Sequence, residues 1–173
     1  MDPFPGATVE EIKAQELLDE MKATGIKVYA TVPDNWLARL IDLIAADREV
    51  VHVPVAREEE AVGVCAGAAL AGVRAAMVVQ NAGVLNCGGS LATFALAYQV
   101  PFLMVVSHRG ALGDRFFYHA NKPRPTEDLL RSLTIPCDPL PSDFRVQRTI
   151  PSAYTMAEVM QRPVALLLTG GAR

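Results

Sequence analysis

The chain has 173 residues, 51% hydrophobic and 20% charged, with 12 Gly and 12 Pro. That balance excludes a disordered, collagen-like or coiled-coil protein and fits a single domain, residues 1–173, around one core. Sixteen Lys and Arg against 19 Asp and Glu leave a formal charge of -3, so neither nucleic acid nor an anionic membrane is an expected partner.

Cys65, Cys87 and Cys137 lack CxxC spacing and cannot all pair within one chain. This points away from a disulfide framework or a structural zinc site, and towards the reducing cytoplasm. No segment has the make-up of a signal peptide, and the apolar runs are strand-sized rather than long enough for a membrane span.

In chain order, Thr8-Val-Glu-Glu11 has a capping-box pattern ahead of Ile12, Leu17, Leu18 and Met21, which share one helical face, and Gly25 marks the end of that helix. Residues 26–32 predict a buried strand. Pro33-Asp34-Asn35 then supplies turn chemistry and a cap for a helix carrying Leu37, Leu40, Ile41 and Ile44. The alternation continues with strands at 50–55, 75–79 and 102–106 and helices at 58–71 and 84–98. It predicts a three-layer α/β/α fold with a central, mostly parallel sheet of about six strands.

From 107 to about 125 the rhythm gives way to a Gly-, Pro- and Arg-rich stretch, and loops of that length inside a domain are usually functional. Thr126 is expected to cap a helix to 133. A further helix ends near Gln161, and residues 163–168 predict a closing strand with edge character.

Ligands of open α/β sheets bind beyond the carboxyl ends of the strands. The turns there are Pro33-Asp34-Asn35, Ala56-Arg57-Glu58, Gln80-Asn81-Ala82-Gly83 and Ser107-His108-Arg109-Gly110, all polar. Four such turns together predict a site, whereas one alone would be an ordinary strand end.

Glu58, Glu59 and Glu60 open a predicted helix, where the macrodipole favours carboxylates. Successive helical residues point about 100° apart, so one of the three must face inward, where it is suited to relay a proton. The helix itself has Ala or Gly at eight of its twelve positions from 61 to 72, including Gly63 and Gly67, which implies close packing onto its own sheet or onto another subunit. The Gln80-to-Gly89 run is Gly-rich, yet matches neither GxGxxG nor GxxxxGK[ST], so a phosphate cradle is not expected. Between 107 and 125 stand His108, Arg109, Arg115, His119, Lys122 and Arg124 against one acid, Asp114, a composition suited to a small dianion. His52, inside an apolar strand, reads as a satisfied core or edge residue rather than a ligand.

Gly25-Ile-Lys-Val-Tyr-Ala-Thr-Val-Pro-Asp34, Arg57-Glu-Glu-Glu-Ala-Val-Gly-Val-Cys-Ala-Gly67, Val79-Gln-Asn-Ala-Gly-Val-Leu-Asn86 and Arg162-Pro-Val-Ala-Leu-Leu-Leu168 together carry a resemblance spanning nearly the whole chain. It resembles the pyrimidine-binding (PYR) domain of thiamine-diphosphate-dependent decarboxylases, most of all the sulfopyruvate decarboxylase alpha subunits, with phosphonopyruvate decarboxylases as near relatives. Glu58, three residues before Ala61, matches the family's Glu-x-x-Ala position, while Glu59 and Glu60 do not. The resemblance implies that Glu58 hydrogen-bonds the aminopyrimidine of thiamine diphosphate and promotes proton removal from its thiazolium carbon.

It further implies cofactor contacts from Pro33, Gln80 and Asn81, substrate contacts from Asp34, Asn35, His108, Arg109 and Arg115, and His119 as proton donor or orienting group. The family's Gly-Asp-Gly with its downstream Asn is missing from the sequence, so no metal ligand is expected here. Mg²⁺ and the diphosphate would be held by a diphosphate-binding (PP-domain) beta subunit, in a hetero-oligomer with paired PYR domains. The substrate implied is a small anionic 2-oxo acid, 3-sulfopyruvate or its phosphonate analogue; pyruvate is disfavoured because the His-His pair of pyruvate decarboxylases is absent. The alternative of another class is a non-catalytic α/β subunit that binds a small anion.

Overall fold

The computed structural model describes residues 11–110, 114, 116–140 and 145–169. Helix α1 (Glu11–Ala23) buries Leu17, Leu18 and Met21, the face its spacing predicts, and ends at Gly25, after which the Ile26 N–H returns to the Met21 carbonyl at 3.0 Å. The capping box expected at 8–11 lies outside the described residues, Glu11 excepted.

Strands β1 (Val28–Thr31), β2 (Val51–Pro54), β3 (Ala75–Gln80), β4 (Leu103–Ser107), β5 (Cys137–Leu140) and β6 (Val164–Leu168) form one sheet, ordered β2-β1-β3-β4-β6-β5. Every pairing is parallel. The near-continuous apolar runs of β3, β4 and β6 are what such a sheet requires, because helices cover both of its faces.

On one face, α1, α2 (Ala38–Ala46) and α7 (Val146–Met160) enclose Leu17, Tyr29, Leu40, Ile44, Val78, Val105, Ile150 and Leu166. On the other, α3 (Glu58–Leu70), a helical run from Asn81 and α6 (Pro123–Ser132) enclose Ala61, Cys65, Met77, Phe102, Met104 and Leu130. The three-layer expectation therefore holds, with six strands and all of them parallel.

Four details differ from the sequence reading. Residues 163–168 read as an edge strand, but β6 is fully buried between β4 and β5. The edge is the unpredicted β5, where Pro139 costs a ladder donor that an edge can spare. Helix α6 starts at Pro123, whose missing N–H is harmless in a first turn, rather than at a Thr126 cap; the Thr126 hydroxyl instead donates to the Lys122 carbonyl at 2.7 Å.

The fourth is the Gly-rich segment after β3, which is helical at once. It runs through α4 (Asn81–Val84), a 3₁₀ turn (Leu85–Cys87), α5 (Gly88–Ser90) and a π-helical turn (Leu91–Leu96). Gly83 lies against Glu58 of α3 and Gly88 against Leu129 of α6, so the glycines let this run approach both helices. No helix among the described residues is long and apolar enough to cross a membrane.

Candidate active site

The four polar turns follow β2, β1, β3 and β4, four consecutive strands of the sheet. From β1 the chain moves one way to β2 and then returns past it to β3, so the strand order reverses beside β1. Reversal points of this kind open a crevice at the carboxyl ends of the strands.

The three glutamates of α3 separate as the 100° rotation demands. Glu59 pairs with the Arg57 guanidinium at 3.0 Å and 3.2 Å. Glu60 turns back on the chain, its Oε2 accepting the N–H groups of Ala56 at 2.9 Å and Arg57 at 3.3 Å. Glu58 is the inward one. Its carboxyl lies against Gly83, where an added Cβ would collide with it, and among the described residues it has no hydrogen-bond partner. Beside it, burial and the charges of Glu58 and Glu59 push the Cys87 thiol up to about 12, while Cys87 Sγ contacts the Gly83 carbonyl at 3.3 Å. Gly83, read in the sequence as part of a plain turn, is thus the residue that makes room for the carboxylate.

Asp34 is buried and heavily used. Oδ1 accepts the N–H groups of Trp36 at 2.9 Å and Leu37 at 3.3 Å, so it closes the turn before α2 instead of capping the helix, whose N-cap Leu37 has no side-chain cap bond, while Oδ2 accepts from Gln80 Nε2 at 2.8 Å and from the Arg109 guanidinium at 2.9 Å. The same guanidinium stacks on the Trp36 ring, 4.2 Å from its centroid. Asp34 and Arg109, expected to meet substrate, are therefore engaged first with each other, at 2% and 6% side-chain exposure. Of the side-chain atoms of this pair, Arg109 Nε is left buried with no partner among the described residues. Pro33 and Asn35 sit exposed on the same turn, and Arg115 lies outside the described residues.

Asn81 is fully buried, its Nδ2 donating to the Arg109 carbonyl at 2.9 Å, its Oδ1 unpartnered. His108 Nε2 meets Glu127 at 3.2 Å and its Nδ1 has no partner among the described residues. Burial holds this imidazole below its usual range, against the opposing charge of Glu127. His119 is likewise buried and bonded through Nδ1 to Asp114 at 2.8 Å.

The charges of the basic stretch 107–125 are in part paired within the fold. Its histidines and Arg109 are buried against acids, two of which, Asp34 and Glu127, arrive from other elements and were invisible to a count within residues 107–125. The third, Asp114, was visible there as the lone acid of the stretch. His52, on strand β2, bonds Thr31 Oγ1 at 2.8 Å, the satisfied edge histidine expected.

A parallel sheet with an inward carboxylate over a glycine at its strand ends is an α/β domain with an acceptor placed where such sheets bind ligands. The profile described as thiamine pyrophosphate enzyme, N-terminal TPP binding domain, matches residues 13–121. The sulfopyruvate decarboxylase subunit alpha of Methanothermobacter thermautotrophicus is 38% identical over 150 residues, 86% of this chain and 90% of that protein. A phosphonopyruvate decarboxylase of Streptomyces hygroscopicus is 29% identical over 60% of this chain and 26% of its own length. In three dimensions, a 2-oxoglutarate:ferredoxin oxidoreductase of Magnetococcus marinus superposes with a TM-score of 0.67 at 18% identity, covering 91% of this chain and 28% of that one, a likeness of fold. The chain belongs to the family of thiamine pyrophosphate enzyme N-terminal domains, with sulfopyruvate decarboxylase alpha subunits among its full-length relatives.

Proposed function

We propose that the chain is the PYR subunit of a two-chain, thiamine-diphosphate-dependent carboxy-lyase that converts 3-sulfopyruvate to sulfoacetaldehyde and CO₂. The observation that carries this reading is Glu58, an inward carboxylate with no hydrogen-bond partner among the described residues, seated over Gly83. That acceptor fits the aminopyrimidine half of the cofactor, whose ring nitrogen needs one carboxyl partner. When bound, thiamine diphosphate supplies the carbon nucleophile and electron sink for loss of CO₂.

Glu58 then holds the pyrimidine and moves a proton at its carboxyl oxygen. Pro33, Gln80 and Asn81 wall the pyrimidine side, with Gln80 held in place by Asp34. Among the anion candidates Arg109 is the best supplied, since its Nε–H is buried and unpartnered, and His108 offers Nδ1 in the same state. Asp34 shapes this wall rather than meeting an anion, because its charge would repel one. Mg²⁺ and the diphosphate belong, in this reading, to a PP-domain beta subunit of the cytoplasm.

The test is CO₂ release from 3-sulfopyruvate and 3-phosphonopyruvate by this chain with a partner subunit bearing Gly-Asp-Gly and a downstream Asn, thiamine diphosphate and Mg²⁺. Turnover that needs both chains supports the reading and ranks the substrates; inertness towards every 2-oxo acid, in a complex that binds cofactor, would sink it.

Pairing of PYR domains is proposed through the outer face of α3. Packing of its glycines onto their own sheet is excluded: a Cβ at Gly63 or Gly67 would meet nothing within 4 Å. Leu70, Phe94 and Tyr98 are exposed on α3 and the adjoining run, at 62%, 48% and 61%. Gly63→Leu separates fold from assembly because the two effects have opposite signs. The substitution raises helix propensity by about 1 kcal/mol, so the isolated chain should gain about 2–4 °C in Tm, while sedimentation should show weakened self-association. Unchanged association would remove this face from the interface.

A further inference from the structure

We propose that Asp114 is a positioning residue that holds the His119 ring as its Nδ1–H tautomer and so leaves Nε2 as the proton-accepting nitrogen. This rests on the decarboxylase reading, which gives His119 a proton to handle, but the arrangement is a property of the chain itself.

Asp114 has no free oxygen. Oδ1 accepts the Phe116 N–H at 3.0 Å, and Oδ2 accepts both the Gly110 N–H at 2.8 Å and His119 Nδ1 at 2.8 Å. The side chains of Asp114 and His119 are 2% and 7% exposed. Burial opposes ionisation of Asp114, yet the N–H groups of Phe116 and Gly110, with His119, bring its carboxyl below the ordinary range. An ionised carboxylate only accepts, so the hydrogen between it and the ring belongs to Nδ1.

The surroundings fix the ring as well as its tautomer. Phe116 and Tyr118 stand edge-on to it, with centroids 5.4 Å and 4.5 Å away. Gly110, at φ +87°, approaches the His119 carbonyl so closely that a Cβ there would collide with it. Burial first, and the nearby Lys122 and Arg109 charges after it, keep the ring below its usual imidazole range against the pull of Asp114. A neutral ring of this kind takes a proton at Nε2, is stabilised as imidazolium by the Asp114 carboxylate at Nδ1–H, and returns the same proton from Nε2. Atoms and charge balance without any other reactant.

Two measurements test this, one of them independent of turnover. In ¹⁵N-histidine-labelled chain, His119 should show a protonated Nδ1 and an unprotonated Nε2, with the pattern reversed or mixed in Asp114→Asn. An Nε2–H tautomer in the unaltered chain overturns the proposal whatever the enzyme does.

In the reconstituted two-chain enzyme, Asp114→Asn should lower kcat about 100-fold with KM changed less than twofold. The pair Asp114→Asn and His119→Gln should be no slower than His119→Gln alone, since one residue acts through the other. Losses that multiply, or a full effect of Asp114→Asn in the His119→Gln background, overturn it. A complex inert on every 2-oxo acid would sink the decarboxylase reading instead, and the tautomer measurement would still decide the role of Asp114.

Discussion

Glu58→Gln is expected to stop decarboxylation by the reconstituted enzyme, with a fall in kcat of about 10³-fold or more, while cofactor-free assembly proceeds as before. The amide has the shape of the carboxyl, so packing over Gly83 is retained and the fold has no reason to change. What disappears is the charge and the ability to hold and release a proton, worth about 10²- to 10⁴-fold for a positioned acid or base. The structural cost is confined to the first turn of α3, where a carboxylate gains about 0.3–1 kcal/mol from the helix dipole. Glu59→Gln and Glu60→Gln supply the contrast. They carry the same dipole loss but alter only the Arg57 pair and the backbone cap, and should keep near-normal kcat. Turnover by Glu58→Gln within tenfold of the unaltered enzyme would strip Glu58 of its role.

Gly83→Ala should be almost as damaging, and for a reason that no inspection of charge would reveal. The added methyl enters the space held by the Glu58 side chain, whose Cδ, Oε1 and Cγ are its three nearest atoms. A flexible side-chain end yields more cheaply than backbone, so the fold should survive; in the helical turn of α4, Ala is also the better residue by about 1 kcal/mol. Tm should therefore stay level or rise. Glu58 must swing away, and a displacement of about 1 Å at a reacting group costs about 10²-fold in kcat. The pair of readings is diagnostic: stability kept with activity lost places Glu58 function over Gly83, whereas stability and activity both unchanged would show that the carboxylate works from elsewhere.

Much of the fold was legible because a parallel sheet buries both faces, and residues 75–79 and 102–106 show this as unbroken apolar runs. The strands that escaped or were misplaced lie where that logic weakens. Cys137-Asp-Pro-Leu140 carries an Asp and a Pro, tolerable only because β5 is an edge. Its addition beyond β6 turns a supposed edge into an interior strand. The onset of the Asn81 helix was obscured by its glycines, which normally argue for a turn and here admit close neighbours.

In the candidate site, the inward glutamate was readable from helical geometry, and Glu58 in particular from its motif. The partners were not. Asp34 meets Arg109 across 75 residues and Gln80 across 46, and no spacing rule connects them. The basic stretch after β4 has a composition suited to a small dianion, but a sequence count sees only local charges. In the folded chain His108, His119 and Arg109 each have an acid against them.

The sequence by itself determined the layered α/β class, the strand ends that carry polar turns, and the position of the inward carboxylate, because periodicity and motif are local and survive without coordinates. Only the tertiary structure decided that Gly83 seats that carboxylate, that the α3 glycines face outward, and that Asp114 is bonded to His119 Nδ1. Each of these depends on which side chains share a space, and that is settled by packing between segments distant along the chain.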